Sequence, residues 1–285
     1  MGNKTLGTCR LCGQEKELRR SHVLSAFFRD DTTSMFPTGE HGILQPFTQP
    51  IHTHVGRRFA RKQHGFWEQR EGLIQYLLCH DCEQKLSRFE DYAKRFLYGG
   101  SDPIRLALPF LSDPLYTADY KMLKLFQLSI LWRAAEASGE FFAAVALSPE
   151  HRERLRLMLL NEDPGADNEY LCTMLRLVPS PAVQALQDHH GISIETGMFA
   201  PTAQDFGAWQ NYTFVMGGIV WGFCVCESGV PDIFRNSYVK ENGQFWLMPL
   251  PADDFLMTFS QKAVVSGNIT RNDVLEERKA KRRST

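Results

Sequence analysis

Two cysteine pairs of identical spacing, Cys9-x2-Cys12 and Cys79-x2-Cys82, constrain this chain more than any other feature. A C-x2-C pair lets two thiolates reach one ion from a tight knuckle, and two pairs supply the four sulfurs of a closed tetrahedral site. The first pair lies in TCRLCGQ, where Gly13 follows the second thiol and permits a sharp turn. The second lies in LLCHDCEQKLSRFEDY, where a strand-like apolar run ends and a helical pattern begins. Residues 13–78, 66 in all, separate Cys12 from Cys79, against about 15–20 in a compact zinc ribbon. The insertion lengthens the loop without removing the logic of the frame. Structural Zn2+ held by Cys9, Cys12, Cys79 and Cys82 is therefore expected, against the bland alternative of four buried free thiols.

A knuckle on a hairpin followed by a knuckle at a helix start is the plan of a treble-clef zinc site. In the second half, Leu86, Phe89, Ala93, Phe96 and Leu97 recur at helical spacing, and Glu83, Ser87, Glu90 and Lys94 fall on another face. Gly99-Gly100 is the expected stop. The positive end of that helix lies beside Cys82 and is expected to favour its thiolate. In the first half, the knuckle is followed by a short strand and then a helix near Val23–Phe28, with Ser21 or Ser25 as its cap.

Charge is distributed unevenly. Residues 1–100 hold 15 Lys/Arg and 11 Asp/Glu, a net of +4, while the remaining 17 and 22 leave −5. A polyanion therefore meets the N-terminal part first. Within it, RRFARKQHGFWEQR interleaves Arg57, Arg58, Arg61, Lys62 and Arg70 with Phe59, Phe66 and Trp67. Cations attract phosphate and aromatic rings stack on bases, so Arg57, Arg58, Arg61, Lys62 and Trp67 are candidate nucleic-acid contacts. A solvated basic face with its aromatics turned inward is the equal alternative. Residues 31–56 read as a long connection carrying His41, His52 and His54.

A length of 285 residues suits two domains or one elaborate one. Residues 101–168 read as helical. TADYKMLKLFQLSILWRAAEASG forms one helix with Gly139 as its stop, and Arg133 in its apolar stretch requires a carboxylate or carbonyl partner. Ser148-Pro149 opens another, cap then first-turn proline, with Leu155, Met158 and Leu159 inward. From 169 onward YLCTMLRLV, GISIETGMF, NYTFVMGGIVWGFCV and QFWLMPL read as strands. The apolar run Phe214–Cys226 covers 13 residues, which suits a buried strand pair with a glycine kink and is too short for a membrane span. Cys224 and Cys226 share one face of that strand, where packing outranks a redox or metal role. The tail ERKAKRRST is basic. Cys172, Cys224 and Cys226 are left over after the four-sulfur frame, and the start lacks a secretory pattern. Both point to a reduced, cytoplasmic protein with no membrane partner.

The order Cys9-x2-Cys12, Ser21-His22-Val23-Leu24, Leu77-Leu78-Cys79-x2-Cys82-Glu83 resembles the HNH (His-Me finger) group. More closely, it resembles bacterial HNH-like zinc proteins with an SH motif and an LLCxxCE motif, over roughly the first hundred residues and more loosely over the helix with Ser129-Ile130-Leu131-Trp132-Arg133. In HNH nucleases a histidine at the end of the first strand activates water and a metal ion stabilises the phosphorane charge. The resemblance puts His22 on the general-base position and Glu83 on a helix position that could hold Mg2+ or Mn2+. Ser21 stands where an acidic residue or histidine is usual. Three readings follow: a metal-dependent endonuclease, in a phage-defence context implied by the resemblance; a non-catalytic zinc scaffold that binds nucleic acid or a protein partner; or a structural or toxin-like component working through the C-terminal β-rich part. The expected fold is α+β, with an HNH-like zinc domain over 1–100, a helical segment over 101–168 and a β-rich C-terminal domain with a basic tail over 169–285.

Overall fold

The structure, a computed structural model, describes residues 5–25, 52–54, 74–98, 104–106, 115–178, 180–181, 197–226 and 237–253. The basic stretch with Arg57, Arg58, Arg61, Lys62 and Trp67, residues 26–28 of the helix expected near Val23–Phe28, and the basic tail lie outside these residues, while 23–25 are described and are not helical.

The described chain is mixed α and β. Strands β1 (Thr5–Thr8), β2 (Glu15–His22) and β4 (Ile74–Cys79) form a three-stranded antiparallel sheet in the order β1-β2-β4. Helix α1 (His80–Tyr98) leaves β4 directly. Its stripe Leu86, Phe89, Ala93, Phe96 and Leu97 is buried throughout, as the spacing predicts. The helix begins at His80, two residues before Cys82, where the sequence pattern places its start. Ser21 is not a helix cap. It lies in β2, whose backbone is laddered to β1 on one side and β4 on the other, so its amide needs no helical partner.

Segment 101–168 is helical only in part. Before its helices come two short strands, β5 (Ile104–Leu106) and β6 (Leu115–Thr117), and β6 pairs with β11 (Gln244–Trp246). Tyr116 stacks on Phe245, which also meets Phe96 of α1. Helix α2 (Tyr120–Glu136) is capped by the Asp119 carboxylate on the Met122 amide. It ends three residues before Gly139, because Gln75 of β4 takes both the amide and the carbonyl of Ser138. Every α2 residue from Leu123 to Ala135 is buried, so this is a core helix rather than an amphipathic surface one. Helix α3 (Pro149–Asn161) starts on Ser148, whose hydroxyl accepts from the His151 amide, with Pro149 in the first turn. Leu155, Met158 and Leu159 point inward as expected.

The larger sheet contains β3 (His52–His54), β7 (Leu171–Val178), β8 (Gly197–Asp205), β9 (Trp209–Met216), β10 (Ile219–Cys226) and β12 (Met248–Pro251), ordered β12-β7-β10-β9-β8-β3. The charge-free stretch is a hairpin of β9 and β10, as its length predicts. Its two-residue turn is Gly217-Gly218, both at positive φ (65° and 69°), the conformation a tight right-twisted hairpin demands. The strand expected at GISIETGMF begins only at Gly197 among the described residues. Residues 52–54, expected within a connection, form the edge strand β3 parallel to β8. Alternation divides β10 between two faces. Ile219, Trp221, Phe223 and Val225 join the main core, where Trp221 meets Phe126 of α2. Val220 and Cys224 lie in separate clusters on the other face. One buried cluster runs from Cys9 through α1, α2 and α3 to Trp221 and Leu247. No described helix is long and apolar enough to cross a membrane.

Candidate metal centre

The first knuckle is shaped by backbone hydrogen bonds that the β1–β2 turn imposes. The Cys9 amide donates to the Gln14 carbonyl (2.9 Å) and the Gly13 amide to the Cys9 carbonyl (2.8 Å). Gly13 sits at φ +72°, where a side chain is strained. The Arg10 amide reaches the Leu77 carbonyl of β4 (2.9 Å), which brings the second pair alongside the first. Cys79 is the last residue of β4 and Cys82 lies in the first turn of α1. Strand and helix thus present their sulfurs to the same point although the pairs are far apart in sequence.

The ligand atoms of Cys9, Cys12, Cys79 and Cys82 all lie within 4.8 Å of one another. The Cys12 and Cys79 sulfurs are 3.9 Å apart, and a tetrahedral site with metal–sulfur bonds of about 2.3 Å has edges of about 3.8 Å. Cys9, Cys79 and Cys82 are buried and Cys12 is half-buried. These four thiols can hold a metal ion, as their spacing predicts. Among the described residues they are the one group of three or more potential ligands that converges.

The electrostatics argue for a cation. Burial pushes the Cys9 thiol up, but the amides of Cys12, Cys79 and Leu11 point at its sulfur and bring it down to about 7. The Cys79 amide is 3.3 Å away. Burial raises Cys79, and it raises Cys82 strongly, with the Cys79 and Cys9 sulfurs adding to the effect. The net effect on the Cys82 thiol is upward, so its ionisation calls for a further positive charge. The amides of Cys12, Cys79 and Leu11 serve Cys9 and that of Cys82 serves Cys79, and like charges at such range repel. A bound cation is what permits all four to ionise.

Neighbouring groups brace the knuckles. Arg156 of α3 donates to the Leu11 carbonyl (2.6 Å), inside the first C-x2-C loop. Lys16 of β2 pairs with Asp81 of α1 at 3.0 Å, clamping hairpin to helix on the exposed side. Sequence reasoning missed both, because neither partner is near the other in the chain.

Beside the sulfurs lies a polar cluster. His22 ends β2 opposite Ile74 and is half-buried. Its carbonyl accepts from Arg133 Nη1 at 2.8 Å. Arg133 Nη2 donates to Glu90 Oε1, to Ser25 Oγ and to Ser129 Oγ. The carboxylate and carbonyl that the sequence demanded for Arg133 are thus Glu90 and His22. Glu83 accepts the Ser21 hydroxyl at 2.5 Å. Burial lifts the Glu83 carboxyl above its ordinary range, against the opposing pull of Ser21 and Arg133. The structure therefore brings Ser21, His22, Ser25, Glu83, Glu90 and Arg133 into one linked set. Of the remaining histidines in the long connection, His52 and His54 hold alternate positions on the edge strand β3. No family model, no curated protein and no solved structure matches the chain.

Proposed function

We propose that this chain is an HNH-like zinc protein directed at nucleic acid, with structural Zn2+ on Cys9, Cys12, Cys79 and Cys82 in a treble-clef arrangement. The observation that carries this reading is the convergence of four sulfurs from a hairpin knuckle and a strand-to-helix junction. Four sulfur donors and a closed, half-buried tetrahedron suit zinc and leave no position for a substrate, so the ion's work is to hold the fold. His22 and Glu83 lie on the two elements that this frame joins, β2 and α1.

In the hydrolytic form of this reading, the His22 imidazole takes the proton of the attacking water, and the clamp of Arg133 on the His22 carbonyl fixes the end of β2 that carries it. A hard divalent cation needs several oxygen ligands. The described residues of the cluster bring Glu83 and Glu90 close, but Glu83 is engaged by Ser21 and Glu90 by Arg133. This set does not fit Mg2+ or Mn2+. That engagement favours the second reading, a zinc scaffold that binds nucleic acid or a protein without cleaving it.

The deciding experiment incubates the purified chain with plasmid DNA, with and without Mg2+ or Mn2+, beside H22A of equal zinc content. Nicking that disappears in H22A supports the hydrolytic form, and nicking at full rate in H22A overturns the role of His22. Salt-sensitive binding without nicking supports the scaffold. Neither binding nor nicking overturns the nucleic-acid assignment.

A further inference from the structure

Cys224 and Cys226 of β10 lie two residues apart, so both side chains stand on one face of the strand. This face is turned away from α2, since Phe223 and Val225 of the other face join the main core. The two sulfurs are 2.7 Å apart and both cysteines are free. That separation puts the two thiols in direct contact. Two steps along a strand span about 6.6 Å, at the upper edge of the Cα separations that disulfides bridge.

The surroundings distinguish the two thiols. Cys224 is 1% exposed and packs with Leu171 and Tyr238. Cys226 is half-buried and lies past the last residue paired with β7, which is Cys224. It is opposite Trp209, whose ring stacks on the exposed Phe206 at 4.0 Å. No third metal-binding group converges on the pair among the described residues. The site is therefore suited to dithiol chemistry rather than to an ion.

We propose that Cys224 and Cys226 are a redox-active dithiol that a peroxide converts to an intrastrand disulfide. The Cys226 sulfur attacks one peroxide oxygen; an S–O bond forms, the O–O bond breaks, and the departing hydroxide takes up the thiol proton as water. The Cys224 sulfur then displaces the hydroxyl of the Cys226 sulfenic acid; the S–S bond forms, the S–O bond breaks, and a second water leaves with the Cys224 proton. Two thiols lose two electrons and the peroxide is reduced to two waters. A dithiol reductant reverses the reaction, as expected for a bridge at the strained limit of its geometry. Burial raises the Cys224 thiol above its ordinary range, which suits it to the resolving role and leaves the first attack to the more accessible Cys226.

The chain lends itself to a direct test. Arg176 and Arg235 bracket a tryptic peptide, 177–235, that contains both sulfurs and no other cysteine. The full-length protein with its metal bound is treated with hydrogen peroxide, alkylated with iodoacetamide without reduction, digested and weighed. The expected result is a 177–235 peptide lighter by two hydrogens and closed to alkylation, reopened by dithiothreitol, with bound metal unchanged. C226S, folded by circular dichroism, leaves Cys224 open to alkylation after the same treatment. Should C226S not fold, alkylating Cys226 in the native chain before adding peroxide makes the same test. The proposal is overturned if both thiols of 177–235 stay open to alkylation, or if Cys226 advances to a sulfinic acid with Cys224 still free.

Discussion

Arg133 and Gln127 stand on the same buried helix and have opposite fates. Arg133 is 1% exposed and finds a carboxylate, two carbonyls and two hydroxyls. Gln127 is fully buried, and neither end of its amide has a hydrogen-bond partner among the described residues. An unmet buried amide costs roughly 1–3 kcal/mol. Q127M should therefore raise the urea midpoint by about 1 kcal/mol of stability; an unchanged or lower midpoint would show that the amide is satisfied. R133M strands Glu90 and the His22 carbonyl and should cost about 3–5 kcal/mol, while the double change R133M/E90L should recover more than half of that. A double mutant no better than R133M would locate the value of Arg133 outside the pair. The need of Arg133 for a partner was readable from its apolar neighbours. Which partner was not, because Glu90 is 43 residues away and His22 is 111.

Helix termini and their crosslinks are the next level of control. Ser148-Pro149 and the α1 stripe could be read directly, since caps and periodicity are local physics. Ser21 misled for the complementary reason: SHVL reads as a helix start, and only pairing with β4, supplied from beyond residue 73, holds it extended. At the other end of α3, Glu162 closes the helix in the left-handed conformation and meets Arg88 and Lys85 of α1. Burial works to raise the Glu162 carboxyl, but those two cations outweigh it and hold it below its ordinary range. A depressed carboxyl contributes stability that is complete above the unfolded-state pKa of about 4.3 and is lost as pH falls through the folded value. E162Q should thus cost about 0.5–1 kcal/mol at pH 7 and nothing once the wild-type carboxyl is protonated, because partly exposed pairs are screened. Urea titrations at pH 7 and pH 3 check this, and an equal deficit at both would assign the effect to the helix cap instead.

The four-cysteine site is tied to these parts, since one continuous core joins the sulfurs to α1, α2, α3 and the β9–β10 hairpin. Where ligand binding and folding are linked, stripping the ion or losing one ligand removes folding free energy. A strong chelator, or C79S, should lower the thermal midpoint by roughly 10 °C or more and free the remaining thiols to react. An unchanged midpoint with no metal found by elemental analysis would remove the zinc assignment. The spacing of the cysteines, the stripe of α1, the capped start of α3 and the hairpin of β9 and β10 all followed from neighbours within a few positions. Short-range geometry determines such features wherever they occur in a chain. The strand character of Ser21-His22, the edge strand at 52–54 and the burial of α2 from Leu123 to Ala135 followed from contacts across the fold. Those depend on which surfaces exclude water together, and a linear pattern of residues does not contain that information.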